Sequence, residues 1–245
     1  PCHIFSSPGT YTVTLTAENP CGITSYTKQV CIAAPPAPAF NLNSNSGCSP
    51  LAVSATNSTN STNSCNSISY LWSVTYTSGF CGTLSSWSFS GGTDATSVNP
   101  SFIFNGAGSY TITLSVTNPC GTFTTSNVVT VKQRPSVSLN GILNSCAPAI
   151  INPTLVVTNC GLSAPTYLCT LAGGNPSTST SANPGPVTHS TAGPYTISVA
   201  VTNECGTTNA SAPLTVQNVT ASNAGPAQTR CGSSITMAAN TPAIG

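Results

Sequence analysis

Hydrophobic and polar residues alternate one by one along three separate segments of the chain. In the middle segment Tyr110, Ile112, Leu114 and Val116 fall on one side, while threonine and serine residues fall on the other. A period of two residues predicts a β-strand with one buried face. The first and third segments carry the matching inward-facing sets Tyr11, Val13, Leu15 and Ala17, and Tyr195, Ile197, Val199 and Val201.

A longer motif surrounds each of these strands. It opens with Gly-x-Tyr and closes with Asn-x-Cys-Gly, at residues 9–22, 108–121 and 193–206. The tyrosines Tyr11, Tyr110 and Tyr195 are 99 and 85 residues apart, which is the size of one small β-sandwich. The chain is therefore an array of modules.

The rest of each module is also predicted to be β-structure. Asn118-Pro119-Cys120-Gly121 has the residue order of a type I turn, so a second strand should follow it as a hairpin. Residues 70–74 and 167–171 have the pattern of a central strand whose large side chain fills a sandwich core. Residues 75–89 have no counterpart in the third module and predict an extra hairpin or edge ribbon. Since no segment shows sustained helical periodicity, the fold class is all-β.

Polar and proline-containing joints divide the chain at residues 35–38, 133–135 and 217–218. Short joints that contain proline limit bending, so the modules are expected to stack as a semi-rigid rod. We expect the C-terminal half of one domain at 1–34, complete domains at 35–134 and 135–217, and the first strands of a further repeat at 218–245.

The chain is almost uncharged, with four Lys or Arg and three Asp or Glu among 245 residues. Nucleic acids and anionic membranes require clusters of basic side chains, so neither is expected as a partner. No apolar run approaches the roughly 20 residues of a membrane span, so no membrane insertion is expected in this segment. Serine and threonine make up about 30% of the residues, and such a surface suits the outside of a cell.

Enzyme, metal and cofactor functions are not expected, because the required side chains are too few. No pair of carboxylates can be assembled in one module, and His3 and His189 have no acidic neighbour in the sequence. Calcium prefers six or more oxygen ligands, which Asp94 alone does not supply. His189 is predicted to lie in a loop or at a strand end, and Asp94 is predicted to cap the turn at Gly91-Gly92.

Twelve cysteines accompany a single methionine, without a Cys-x-x-Cys pair or a Cys/His cluster. This usage indicates disulfides formed in an oxidising compartment rather than zinc or redox chemistry.

Several motifs together carry a resemblance to a known family. They are an Asn-Pro pair before a short strand, the Gly-x-Tyr-Thr strand, the Asn-x-Cys-Gly turn, and residues 47–50, 173–180 and 224–232. With these motifs the chain resembles tandem PKD domains, which are immunoglobulin-like β-sandwiches of giant secreted, gliding-adhesin-like surface proteins of Bacteroidota. The family's Trp-Asp-Phe-Gly-Asp-Gly motif is absent, and Cys169 stands where the third module would carry its tryptophan. Calcium or carbohydrate roles that depend on those acidic residues are therefore not expected.

The resemblance also implies a disulfide pattern. In an immunoglobulin-like topology the loop before the central strand and the turn after the tyrosine strand lie at one end of the sandwich. This predicts the pairs Cys65–Cys120 and Cys160–Cys205, and it leaves Cys48–Cys81 and Cys146–Cys169 to close the opposite end. Partners for Cys2, Cys21, Cys31 and Cys231 stay open.

The resemblance implies a non-catalytic structural or adhesive segment of an extracellular protein on a bacterial cell surface. Its expected partners are neighbouring repeats of the same or identical chains, and surface glycans or other cells. The alternative is a carbohydrate-binding or accessory module of a secreted hydrolase, with Trp87, Tyr76 and Phe80 as ligand-stacking residues. Core packing is the competing interpretation of these aromatic residues.

Overall fold

The computed structural model describes residues 2–65, 68–77, 81–82, 84–219, 221–236 and 239. Every regular element in these ranges is a β-strand, which confirms the all-β prediction, and they contain no helix that could cross a membrane. The chain divides into two compact units, Pro1–Gln133 and Arg134–Gly245.

The first unit begins with a hairpin of β1 (Gly9–Asn19) and β2 (Gly22–Ile32), paired from Gly9↔Ile32 to Asn19↔Gly22. One face of this hairpin is apolar and solvent-exposed, since Leu15 is 67% and Tyr26 71% accessible. The middle module follows with β3 (Phe40–Leu42), β4 (Ser46–Cys48), β5 (Leu51–Asn57), β6 (Ser69–Thr77), β7 (Trp87–Ser90), β8 (Ser101–Phe104), β9 (Gly108–Asn118) and β10 (Gly121–Lys132).

The middle module is a sandwich of two four-stranded sheets, ordered β3-β5-β8-β7 and β4-β10-β9-β6. All pairs are antiparallel except β4 with β10. The alternation seen in the sequence directs Tyr110, Ile112, Leu114 and Val116 of β9 into the core, where all four are fully buried. The described residues of the extra hairpin or edge ribbon predicted at 75–89 do not form a separate ribbon. Residues 75–77 belong to β6 of one sheet, and residues 87–90 form β7 at the edge of the other.

The second unit holds the third module. Its strands are β11 (Ser136–Asn140), β12 (Ser145–Cys146), β13 (Ala149–Ile151), β14 (Thr154–Thr158), β15 (Thr166–Leu171), β16 (Thr178–Ser179), β17 (Val187–His189), β18 (Gly193–Asn203) and β19 (Gly206–Gln217). Five of them form one sheet in the order β12-β19-β18-β15-β16, and β11-β14 and β13-β17 form two short pairs. Pro153 separates β13 from β14, because proline has no N–H for a continuous ladder. The described residues between 218 and 239 form no strand, so the strands predicted there are not seen in them.

A tyrosine hydrogen bond recurs at the start of the three long strands. The hydroxyl donates to the carbonyl oxygen four residues upstream, from Tyr11 to Ser7 at 2.7 Å, from Tyr110 to Gly106 at 2.8 Å and from Tyr195 to Thr191 at 2.9 Å. This is the tyrosine corner of immunoglobulin-like sandwiches, and it explains the Gly-x-Tyr motif physically. Gly173 has a positive φ of 72°, and a side chain there would overlap the ring of Tyr195.

We predict that Tyr110→Phe destabilises the middle module by about 1–3 kcal/mol. The Tyr110 hydroxyl is buried and also accepts a hydrogen bond from Ser86 N at 3.2 Å, so its removal takes away the partner of Ser86 N and of the buried Gly106 O. Both tryptophans, Trp72 and Trp87, lie in this module, so tryptophan fluorescence during urea unfolding reports its stability. Tyr70→Phe on β6 is the control and should change the free energy of unfolding by less than about 0.5 kcal/mol. Equal effects of the two substitutions would contradict the prediction.

Alkaline pH should also weaken this module through Tyr110. Burial raises the pKa of Tyr110 above its ordinary value, and the hydrogen bond with Ser86 only partly offsets this effect. The unfolded chain therefore loses the proton first, and the stabilising contribution is lost as the pH rises past about 10. Urea unfolding of the wild type and of Tyr110→Phe across this range should show a steeper loss in the wild type. Parallel curves would contradict it.

Candidate functional site at the junction between modules

The Asn-x-Cys-Gly turn has the same side-chain hydrogen bond in all three copies. The asparagine Oδ1 accepts from the cysteine N–H at 2.9 Å in Asn19–Cys21, Asn118–Cys120 and Asn203–Cys205. This bond shapes the turn between the two long strands and leaves the amide Nδ2 available as a donor. The turn of the middle module uses that donor to hold the segment that enters the module.

The linker at residues 33–39 is fixed to the loop and the turn at one end of the middle module. Asn118 Nδ2 donates to Ala34 O at 2.6 Å, and Ala34 N donates to Asn63 O at 2.9 Å. Ala37 and Asn60 exchange both backbone hydrogen bonds at 3.1 Å. These contacts attach the chain that leaves the β1–β2 hairpin to the loop between β5 and β6.

A disulfide between Cys31 and Cys65 closes the same junction, with the two Cα atoms 5.7 Å apart. Cys31 lies at the end of β2, and Cys65 lies in the loop that binds the linker. The predicted Cys65–Cys120 disulfide is wrong, because Cys65 is bonded to Cys31 and Cys120 is a free, exposed thiol. Cys31 belongs to the preceding hairpin, so this disulfide joins two modules, whereas the predicted bond would have joined two positions of one module.

No partner was predicted for Cys31, although one feature of the sequence indicates a partner in the next module. Cys31 follows Val30, the residue paired with Tyr11, and the same position is Thr130 in the second copy and Thr215 in the third. A cysteine that one copy alone carries, two residues before a linker, indicates a bond to the next module.

The remaining cysteines fall into two groups. Cys48, Cys81, Cys160 and Cys205 are disulfide-bonded, and the pairs Cys48–Cys81 and Cys160–Cys205 stay the prediction for them. Cys2, Cys21, Cys146 and Cys231 are exposed thiols, and Cys169 is a buried one. The predicted Cys146–Cys169 disulfide is therefore wrong. Cys169 points into the core at 2% exposure, while Cys146 is exposed on the edge strand β12.

Cys169 should react with thiol reagents far more slowly than the exposed cysteines. Its burial raises the pKa of the thiol and blocks access, and both effects suppress the reactive thiolate. We expect alkylation of the native chain, read by peptide mass spectrometry, to modify Cys120 and Cys146 at least about tenfold faster than Cys169. Urea should abolish the difference. Rapid labelling of Cys169 in the native chain would contradict its place in the core.

The predicted ligand-stacking aromatics are core-packing residues where the structure describes them. Trp87 packs on the core with its ring centroid 5.5 Å from Phe89 and 6.3 Å from Phe102. Tyr76 packs 5.0 Å from Tyr110 and donates its hydroxyl to Ala107 O at 3.2 Å. Phe80 lies outside the described residues. Both side chains are partly buried against the core, which favours the packing interpretation, and the stacking role stays a prediction.

Asp94 has a structural role in a turn. Asp94 Oδ1 accepts from Thr96 N and Thr96 Oγ1 at 2.8 Å and from Ser97 Oγ at 3.2 Å, so it caps the turn after Gly91-Gly92. The hydrogen bonds from Thr96, and then from Ser97, lower the pKa of Asp94. Within the described residues, no three His, Cys, Asp or Glu side chains come together as a metal site.

His189 is the last residue of β17, which confirms the strand-end alternative, and its side chain is fully buried. Its ring centroid is 5.0 Å from Tyr195, as Phe104 is 4.7 Å from Tyr110 and Phe5 4.3 Å from Tyr11. His189 thus occupies the phenylalanine position of the other copies. Since Ala172 O only accepts hydrogen bonds, Nε2 at 3.1 Å donates, and Nδ1 is left as a buried acceptor without a partner.

Comparisons with known proteins agree with this architecture. Residues 48–133 match the profile of the PKD domain family, and residues 1–32 match a second PKD domain profile. The fold class is that of tandem PKD-like, immunoglobulin-like β-sandwiches. Domains of this kind are typical structural or adhesive modules, are generally non-catalytic and are typical of extracellular proteins.

Similar solved structures include fragments of titin, a cell adhesion molecule and an insect immune protein. The I-band fragment I67-I69 from titin is 14% identical, with 87% of this chain and 75% of that chain covered and a TM-score of 0.47. The N-terminal eight Ig domains of Down Syndrome Cell Adhesion Molecule are 13% identical, with 88% and 28% covered and a TM-score of 0.38. The insect immune protein hemolin is 14% identical, with 85% and 56% covered and a TM-score of 0.38. The comparison with curated proteins found no match.

Proposed function

We propose that this chain is a non-catalytic spacer segment of a large extracellular surface protein or fibre, built as a disulfide-stapled rod of immunoglobulin-like modules. It belongs on a bacterial cell surface of the gliding-adhesin type. Neighbouring repeats of the same or identical chains are its immediate partners. Surface glycans or other cells are contacted elsewhere in the parent protein.

The observation that carries this proposal is the closed junction in the first unit. Cys31–Cys65 joins the hairpin to the next sandwich covalently, and the backbone bonds of Ala34 and Ala37 leave little free linker between them. A flexible tether between modules would lack such contacts. The near absence of charge also removes the electrostatic recognition that a nucleic-acid or acidic partner requires.

Small-angle scattering tests the spacer function. The maximum dimension of the full chain and of its tandem duplicates should grow nearly linearly with module number. The matched comparison is the Cys65→Ser/Cys120→Ser double variant, which removes the staple and should give a broader distribution of dimensions. Growth with the square root of module number would reject the rod.

A glycan panel distinguishes the accessory-module alternative from the spacer. Because Trp87 packs on the core, no glycan binding that depends on Trp87 is expected. Binding that Trp87→Ala abolishes while the fluorescence of Trp72 stays native would favour the alternative.

A further inference from the structure

Three cysteines meet at the junction, although only two are bonded. Cys31 and Cys65 form the disulfide, and Cys120 is free and exposed in the turn between β9 and β10. The Cys120 thiol donates to Ala33 O with an Sγ–O distance of 3.4 Å. Ala33 is two residues beyond Cys31 along the same extended strand and linker, a spacing of about 7 Å. A third sulfur therefore lies beside the chain that carries the disulfide.

Cys120 contacts the Cys31 segment directly and is connected to the Cys65 segment only through Ala34. Cys120 reaches the Cys31 segment through one direct contact, to Ala33. The path to Cys65 has two steps, from Asn118 to Ala34 and then from Ala34 to Asn63, which is itself two residues before Cys65. These contacts favour Sγ of Cys31 over Sγ of Cys65 as the target of a Cys120 thiolate.

We propose that Cys120 is the reserve thiol of the junction and exchanges with the disulfide to form Cys31–Cys120. The Cys120 thiol gives its proton to solvent, and the resulting thiolate attacks Sγ of Cys31. The Sγ–Sγ bond to Cys65 breaks, and Cys65 leaves as a thiolate that takes a proton from solvent. One disulfide and one thiol are present before and after the step, so no oxidant or reductant is consumed.

The exchange moves the staple but keeps the junction closed. In the first state β2 is joined to the loop between β5 and β6, and in the second it is joined to the turn between β9 and β10. After the exchange, chemical damage to the free Cys65 thiol therefore does not disconnect the hairpin from the sandwich. The two attachment points differ in the backbone amides that they hold in hydrogen bonds. The loop between β5 and β6 holds the amides of Ala34 and Ala37 through Asn63 and Asn60.

Peptide mapping of the full chain tests the exchange directly. The oxidised protein is incubated at about pH 8, where thiolates are populated, then quenched with N-ethylmaleimide and digested without reduction. We expect a Cys31–Cys120 peptide to appear together with N-ethylmaleimide on Cys65, at a rate that does not depend on protein concentration. Formation of Cys65–Cys120 instead, or a rate proportional to protein concentration, would overturn the proposal.

Variants make the result independent of the exchange rate. In Cys65→Ser, oxidation by glutathione disulfide should join Cys31 to Cys120 and release two molecules of glutathione. Cys120→Ser should keep Cys31–Cys65 alone throughout the incubation. Cys21→Ser is the matched control, because Cys21 occupies the same turn position in the first hairpin. This turn and the pair Gly9–Ile32 lie at opposite ends of a ladder of 11 residue pairs, so Cys21 is remote from the disulfide. It should exchange like the wild type. Free Cys31 and Cys120 thiols in oxidised Cys65→Ser with native tryptophan fluorescence would overturn the proposal.

Discussion

Replacement of Trp72 by alanine should lower the free energy of unfolding of the middle module by about 3–5 kcal/mol. Trp72 is 2% exposed in the centre of the sandwich, with its ring centroid 4.9 Å from Phe40 and 6.3 Å from Phe102. The substitution opens a cavity between the two sheets and leaves Ser97 O without the indole N–H that donates to it at 2.9 Å. Urea unfolding followed by the fluorescence of Trp87 measures the loss.

Leu71→Ala is the matched control on the same strand. Leu71 points to the opposite face and is 53% exposed, so its truncation should cost less than about 0.5 kcal/mol. A loss below about 1 kcal/mol for Trp72→Ala would show that the two sheets do not pack around this residue.

Loss of the junction disulfide should be the second large effect. The bond closes a separation of 34 residues, and the chain-entropy model gives about 4 kcal/mol for such a loop. We expect the double variant Cys65→Ser/Cys120→Ser to unfold at a correspondingly lower urea concentration than Cys120→Ser. The shared Cys120→Ser background prevents a replacement bond from hiding the loss.

Two observations check that the loss comes from this bond. Dithiothreitol should destabilise Cys120→Ser and move it towards the double variant. Cys21→Ser should match the wild type, because Cys21 is already a free thiol. Equal stability of Cys120→Ser and the double variant under oxidising conditions would mean that Cys31 and Cys65 are not bonded in solution.

The sequence was sufficient for features that depend on neighbouring residues. Alternation along residues 110–116 predicted the buried face of β9, because successive side chains of a strand point to opposite sides whatever the strand packs against. Asn118-Pro119-Cys120-Gly121 predicted the hairpin that joins β9 to β10, since turn geometry is set within four residues. The absence of helical periodicity likewise determined the all-β class.

The tertiary structure alone decided which distant groups meet. Cys65 pairs with Cys31 across a module boundary. Neither spacing nor periodicity specifies whether Cys31 or Cys120 forms the bond with Cys65. Trp87 lies on an edge strand that could have faced solvent. The register of β7 and β8 pairs Trp87 with Phe104 and places its ring diagonally across from Phe102. His189 is polar and was predicted to lie in a loop or at a strand end, yet pairing with Ala149 at the end of β17 carries it into the core, because strand register rather than side-chain polarity fixes its position. Local sequence thus specifies strands and turns, whereas long-range packing selects the partners.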